Sequence, residues 1–128
     1  MIQKLSKVIV ADNTGVGWLQ IFHIYRGSRR RYGFVGDYVK MAVKSIIKYP
    51  RRIRSKRYRP IRVGFRCRGL LTQLVKNKIF YDRSNLYMFN STVILLKKRG
   101  VFKSKSIYGP GLRNLRRKQY YELFSYFI

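Results

Sequence analysis

Acid is what this sequence lacks most. Only four Asp and Glu residues stand against 30 Lys and Arg in 128 residues, a formal net charge of +26. The acids are Asp12, Asp37, Asp82 and Glu122, with no pair of carboxylates close in the chain. Enzymes need positioned acids, bases or nucleophiles, and this supply is thin. Cys67 and His23 are the single Cys and the single His. One Cys cannot form an internal disulfide, and one Cys with one His cannot hold a zinc cluster. A Walker-type phosphate loop and a dinucleotide fingerprint are both missing. These absences argue against an enzyme and imply neither a metal nor a cofactor. Long apolar runs are missing too. The longest, Val93-Ile94-Leu95-Leu96, has the length of a strand, far short of a membrane span. The start of the chain has neither a secretory signal pattern nor an Arg/Ser-rich amphipathic transit helix. If the protein works in an organelle, it is expected to be made there.

What is present is cationic charge on a foldable chain. Such a charge repels itself unless a polyanion compensates it, and nucleic acid is the commonest polyanion. The apolar share of 46% is too high for a disordered basic tail. A length of 128 residues suits one domain with a modest core. Tyr, Phe, Ile, Lys and Asn are abundant, whereas Ala occurs only at Ala11 and Ala42. The abundant residues have AT-rich codons, which suggests an AT-biased genome such as that of an organelle.

One stretch organises the chain. Gly27 to Gly36 holds three glycines, Ser28 and the triplet Arg29-Arg30-Arg31, followed by Tyr32. It reads as a loop that presents charge. Asp37 to Lys44 then alternates, with Val39, Met41 and Val43 on one side and Tyr38, Lys40 and Lys44 on the other. That is the period of a half-buried strand. Arg is a planar, permanently charged fork suited to phosphate. Arg26, Ser28, Arg29, Arg30, Arg31, Tyr32, Lys40 and Lys44 are therefore candidate RNA contacts.

Upstream, Lys7 to Val10 and Trp18 to Tyr25 read as strands joined by the turn Asp12-Asn13-Thr14-Gly15. His23 inside the second strand reads as structural or RNA-facing. Downstream, Pro50 and Pro60 bracket a basic loop carrying Arg51, Arg52, Arg54, Lys56, Arg57 and Arg59. Ile61 to Arg68 reads as a strand with Ile61, Val63 and Phe65 on one face and Arg66 and Arg68 among the outer residues. Arg26 to Arg68 contains 16 of the 30 cations and a single acid, Asp37. Tyr32, Phe34, Tyr49 and Tyr58 are interleaved, as suits phosphate contact combined with stacking, although any one of them taken singly is more often a packing residue.

Gly69 to Tyr81 is the least regular part, with a strand near Ile79 to Tyr81. Leu86 to Phe89 and Ser91 to Leu96 read as strands. After Ile107-Tyr108-Gly109-Pro110-Gly111, Leu112 to Phe127 reads as a helix, with Tyr120, Leu123, Phe124 and Phe127 at i, i+3, i+4 and i+7. Arg113, Arg116 and Arg117 crowd its N-terminal end, where they oppose the helix dipole unless a phosphate is near. They are a second set of RNA candidates. Short strands with turn signals and then a helix indicate a mainly β fold, a small closed barrel with a C-terminal α-helical segment. The expected organisation is a single domain over 1–128, with the barrel and its basic loops in 1–106 and the helical segment in 107–128.

The ordered blocks Met1-Ile2-Gln3, Val10-Ala11-Asp12-Asn13-Thr14-Gly15, Gly27-Ser28-Arg29-Arg30-Arg31-Tyr32, Val35-Gly36-Asp37, Val93 to Leu96 and Ile107-Tyr108-Gly109-Pro110 resemble the universal large-subunit ribosomal protein L-fourteen family. The resemblance covers nearly the whole chain. It implies a five-stranded β-barrel with C-terminal helices, and a structural role in translation at the subunit interface. It also implies contact with large-subunit rRNA, and with small-subunit rRNA at an intersubunit bridge. The implied protein neighbours belong to the L-three and L-nineteen families, with a ribosome-silencing factor as a further partner. The residue bias alone points to the matrix of mitochondria, on the mitochondrial ribosome, with plastid or bacterial cytoplasm as the alternative. The rival reading from composition is a free small-barrel nucleic-acid-binding protein outside the ribosome. A membrane-surface protein would need basic and apolar faces on one helix, whereas here they follow one another along the chain.

Overall fold

The computed structural model describes residues 1–27, 30–47, 61–75, 78–79, 83, 85–97, 100–104, 106–112, 115, 120 and 124–128. Among them lie nine strands: β1 (Ile2–Gln3), β2 (Lys7–Val10), β3 (Trp18–Ile24), β4 (Tyr32–Gly33), β5 (Tyr38–Val43), β6 (Arg66–Gln73), β7 (Lys78–Ile79), β8 (Asn85–Leu86) and β9 (Thr92–Leu96). Five of them close a barrel in the order β2-β3-β5-β6-β9. Four neighbours pair antiparallel, and the parallel pair β2–β9 closes the ring. Closure leaves no barrel strand with an open edge. The expected five-stranded barrel is therefore present, and its sheet is mixed.

Alternation builds the interior. Val39, Met41 and Val43 of β5 are fully buried, as are Leu19, Ile21 and Ile24 of β3. Each contributes roughly 1.5–3 kcal/mol by leaving water. In β3 the alternation is reset by a bulge: Ile21 pairs with Met41, but His23 pairs with Lys40. The extra residue, Phe22, moves His23 off the inner face and puts Ile24 there. The expected hairpin forms, with Val8 opposite Leu19 and Ile9 opposite Trp18.

β9 is buried on both faces, which is why it reads as an unbroken apolar run. Val93 and Leu95 join the barrel interior, while Ile94 and Leu96 face outward. There they pack with Leu70, Leu115 and Phe124, so residues beyond 106 cover that side of the barrel. β1 pairs with β4, bringing the N-terminus alongside the end of the arginine loop.

Three of the strand expectations need correction. The strand expected at Ile61 to Arg68 begins only at Arg66. Gly64 has φ +84°, and the Phe65 N–H donates to the Arg62 carbonyl at 3.1 Å, so a turn interrupts the pattern. Ile61 is buried, but Val63 and Phe65 are exposed. Gly69 to Gln73, read as irregular, is the heart of β6. Leu71 fills the interior and Leu70 the outer cluster, and this double burial erases period two. The strand expected at Leu86 to Phe89 reduces to Asn85–Leu86, with Tyr87 and Phe89 exposed.

The helix expected over Leu112 to Phe127 does not extend to that end. Gly111 bridges Phe127 in parallel, and the Ile128 N–H donates to the Gly111 carbonyl at 2.8 Å. The aromatic end thus runs extended beside Gly111. No helical element occurs among the described residues, although Leu115 has a helical backbone. Arg113, Arg116 and Arg117 lie outside the described residues.

Candidate nucleic-acid interface

Two outward surfaces of the barrel differ. On one side of β6 and β9 the outer cluster is apolar and covered. On β5 and the first half of β6 it is cationic. Lys40 and Ala42 alternate outward with the buried residues of β5, and exposed Lys44 follows the strand. The β5–β6 register sets Lys40 opposite Arg68 and Ala42 opposite Arg66, and both arginines are exposed. Like charges facing each other across strands destabilise a sheet. Here the Tyr25 ring lies beneath both cations. Lys40 Nζ is 5.6 Å from the ring centroid and the Arg68 guanidinium carbon 6.0 Å from it. Such contacts offset only part of the repulsion. A phosphate between the two strands would remove it.

The arginine loop leaves β3 through two successive left-handed residues, Arg26 at φ +83° and Gly27 at φ +105°. Gly27 adopts this freely. Arg26 does so at a cost of about 1–2 kcal/mol, the kind of local strain that clusters at functional positions. The loop returns through β4, where Gly33 packs inward against Ile2, Ile24 and Leu71 while Tyr32 stays exposed. Ser28 and Arg29 lie outside the described residues.

The three arginines of the triplet are not equivalent. Arg31 is exposed. Arg30 is turned inward, its side chain only 20% exposed. One of its terminal nitrogens donates to Asp37 Oδ2 at 2.5 Å, and its Nε donates to the Tyr32 carbonyl at 2.9 Å. Asp37 is 3% exposed and also accepts the Phe34 N–H at 2.8 Å. Arg26 approaches the other carboxylate oxygen at 3.9 Å with its side chain in solvent. Both ion pairs among the described residues thus converge on Asp37. One buried carboxylate staples the loop to the start of β5, and Arg30 is the staple's cationic leg. Sequence reasoning counted Arg30 among the RNA contacts and gave Asp37, though noted as the single acid of this region, no role in holding the loop. The signal was present: Asp37 is the single acid among the 16 cations from Arg26 to Arg68.

Asp12 does a similar job without a cation. It is 5% exposed, and its Oδ1 accepts the Thr14 N–H at 2.9 Å and the Thr14 hydroxyl. Its Oδ2 accepts the Leu95 N–H at 2.8 Å, bolting the turn to β9. The Asp-Asn-Thr-Gly block is therefore a barrel-closing device as well as a turn.

Two titrating groups border the cationic face. Burial pushes the Cys67 thiol up to about 11, and Lys103 nearby offsets part of that. Burial likewise lowers the Lys103 ammonium. Cys67 donates to the Met41 carbonyl at 3.6 Å and stays a neutral thiol at neutral pH. No cluster able to hold a metal occurs among the described residues.

Of the predicted contacts, Arg26, Arg31, Tyr32, Lys44, Arg66 and Arg68 are exposed and Lys40 is half-buried. Lys40, Arg66 and Arg68 share the β5–β6 face, while Arg26, Arg31 and Tyr32 belong to the loop preceding β5. Arg51, Arg52, Arg54, Lys56, Arg57 and Arg59 fall outside the described residues. The barrel thus carries a stapled arginine loop beside a face on which Lys40, Arg66 and Arg68 gather positive charge. In agreement, the family model of ribosomal protein L14p/L23e matches residues 1–126, and the chain belongs to that family.

Proposed function

We propose that this chain is an rRNA-binding structural protein of the mitochondrial large ribosomal subunit, seated at the subunit interface. Membership of the family makes the coarser part plain: it is a non-enzymatic structural protein of the large subunit, working among rRNA and ribosomal proteins in translation. The proposal adds how it binds and where. The barrel is a rigid frame. Lys40, Lys44, Arg66 and Arg68 on its face, and Arg26 and Arg31 beside the Asp37 staple, neutralise backbone phosphates and release counterions. Arg29, Arg51, Arg52, Arg54, Lys56, Arg57, Arg59, Arg113, Arg116 and Arg117 are proposed as further phosphate contacts. Recognition is of RNA shape rather than a base code.

The observation that carries this reading is the cross-strand placement of Lys40 against Arg68. Two cations set opposite each other across strands repel, and a phosphate bound between them would attract both. Small-subunit rRNA at an intersubunit bridge, neighbours of the L-three and L-nineteen families, and a ribosome-silencing factor are the partners proposed at the interface. The mitochondrial assignment rests on the residue bias towards AT-rich codons.

Gradient sedimentation of a tagged full-length chain from purified mitochondria tests the assignment. The tag is expected in the large-subunit peak at moderate salt and in the monosome peak when subunits are joined. Recovery at the top of the gradient, or enrichment outside mitochondria, overturns the respective part.

A further inference from the structure

The cationic face is not convex throughout. Where β6 passes β9, two hollows open on either side of a ridge formed by Arg68, Leu96 and Lys97. The first encloses about 270 Å³ and is walled by Tyr25, Tyr38 and Gly100. The second encloses about 540 Å³ and is walled by Phe65, Arg66, Cys67 and Lys103. The register explains the ridge. Arg68 pairs with Leu96, the last residue of β9, and Lys97 follows it directly as the chain leaves the strand. Each hollow therefore combines aromatic wall with cations at its mouth. Their volumes lie near or within the roughly 300–1,000 Å³ of small-ligand sites. The Tyr25 hydroxyl, on the wall of the first hollow, is buried with no hydrogen-bond partner among the described residues. In the second, Lys103 Nζ stands 5.8 Å from the Phe65 ring.

A stacked duplex keeps its base faces inside the stack. It can lay phosphates on the ridge but cannot fill the hollows. Unpaired nucleotides can do both, because cations follow the backbone while aromatic rings take the bases. We propose that the ridge and its two hollows bind consecutive unpaired nucleotides of RNA. The linking phosphate lies on Arg68 and Lys97, one base meets Tyr38 and the next meets Phe65. This rests on the RNA-binding reading above and narrows it, for this part of the surface, to single-stranded RNA. Burial depresses the Lys103 ammonium in the free chain, and a phosphate arriving at the second hollow counteracts that.

The full-length protein is tested at fixed salt against a short oligouridylate and against an RNA hairpin stem. Phe65 is 51% exposed, so Phe65→Leu leaves the barrel interior untouched. It is expected to weaken oligouridylate binding roughly 5- to 100-fold, the range of one lost base–aromatic stack, and stem binding less than about twofold. Replacing Arg68 and Lys97 together with Gln should weaken both ligands. Ultraviolet cross-linking of oligouridylate to the wild-type chain should map to Phe65 or Tyr38, which keeps the proposal testable if a variant misfolds. Unchanged oligouridylate binding in Phe65→Leu, or cross-links only elsewhere, overturns the proposal while stem binding keeps the general RNA reading. Failure of the wild-type chain to bind either RNA overturns both.

Discussion

Arg30 and Asp37 should behave as one unit in folding, and a double-mutant cycle measures it. Asp37 is 3% exposed, so Arg30→Met leaves a carboxylate out of water whose remaining partners include the Phe34 N–H and the distant Arg26. Breaking a fully buried pair from one side costs 3–5 kcal/mol. With Arg30 20% exposed and those partners remaining, about 2–3 kcal/mol is expected. Asp37→Asn should cost less, about 1–2 kcal/mol, because an amide oxygen still accepts the Phe34 N–H and Arg30 can turn to solvent. The double replacement should then cost little more than the worse single one, a coupling of about 1–1.5 kcal/mol. Trp18, on β3 beneath Lys7 with Nζ 4.7 Å from its ring, is a single fluorescent reporter for urea unfolding. With a slope of about 1–3 kcal/mol per molar urea, Arg30→Met should lower the midpoint by about 1 M or more. A coupling below about 0.5 kcal/mol would refute the staple and return Arg30 to the free phosphate contacts.

Packing, backbone strain and burial of the thiol are each open to a single replacement. Gly69→Ala should destabilise by about 1–3 kcal/mol, because a Cβ there would stand 2.8 Å from the Ile94 carbonyl oxygen and 2.5 Å from Met41 Cε; a urea midpoint equal to wild type would contradict the packing of β6 on β9. Arg26→Gly should gain about 1 kcal/mol of stability by relieving the left-handed backbone, while losing about 0.7–0.9 from the salt slope of RNA binding, one phosphate's share; loss of stability instead would mean the Asp37 contact outweighs the strain. Cys67 holds its proton up to about pH 11 when folded, against 9.0 for the ordinary thiol. The unfolded chain therefore ionises first as pH rises, and stability should fall between about pH 9 and 11 in wild type by more than in Cys67→Ser; parallel pH profiles would contradict burial of the thiol.

What was legible in the sequence follows from which faces meet water. β5 showed itself because Lys40 and Lys44 alternate with Val39, Met41 and Val43 across one wet and one dry face. The second half of β6 did not, because Gly69, Leu70, Leu71 and Thr72 are buried in succession, with Leu70 and Leu71 on opposite faces. At Val63 and Phe65 the reverse happened: an alternating pattern sits in a turn around Gly64 and points into solvent. His23 could not be assigned a face without the bulge at Phe22, a feature of strand pairing rather than of local sequence. The arginine triplet was found as a charged loop, but division of labour within it depends on Asp37, which lies seven residues beyond Arg30 in the chain and 2.5 Å from it in space. At the aromatic C-terminus, helical spacing gave way to pairing with Gly111, where Phe124 and Phe127 stack edge-on at 5.7 Å.

The central claim, that this barrel holds its cations for rRNA phosphates, is tested most directly by the salt dependence of binding to large-subunit rRNA. With about six to ten phosphates neutralised, the logarithm of the binding constant should fall steeply and linearly with the logarithm of salt concentration. Replacing Lys40, Lys44 and Arg66 together should reduce that slope by about 2–3 while the barrel stays folded. A nearly flat slope for the wild-type chain, or one unchanged by the triple replacement, would contradict the account.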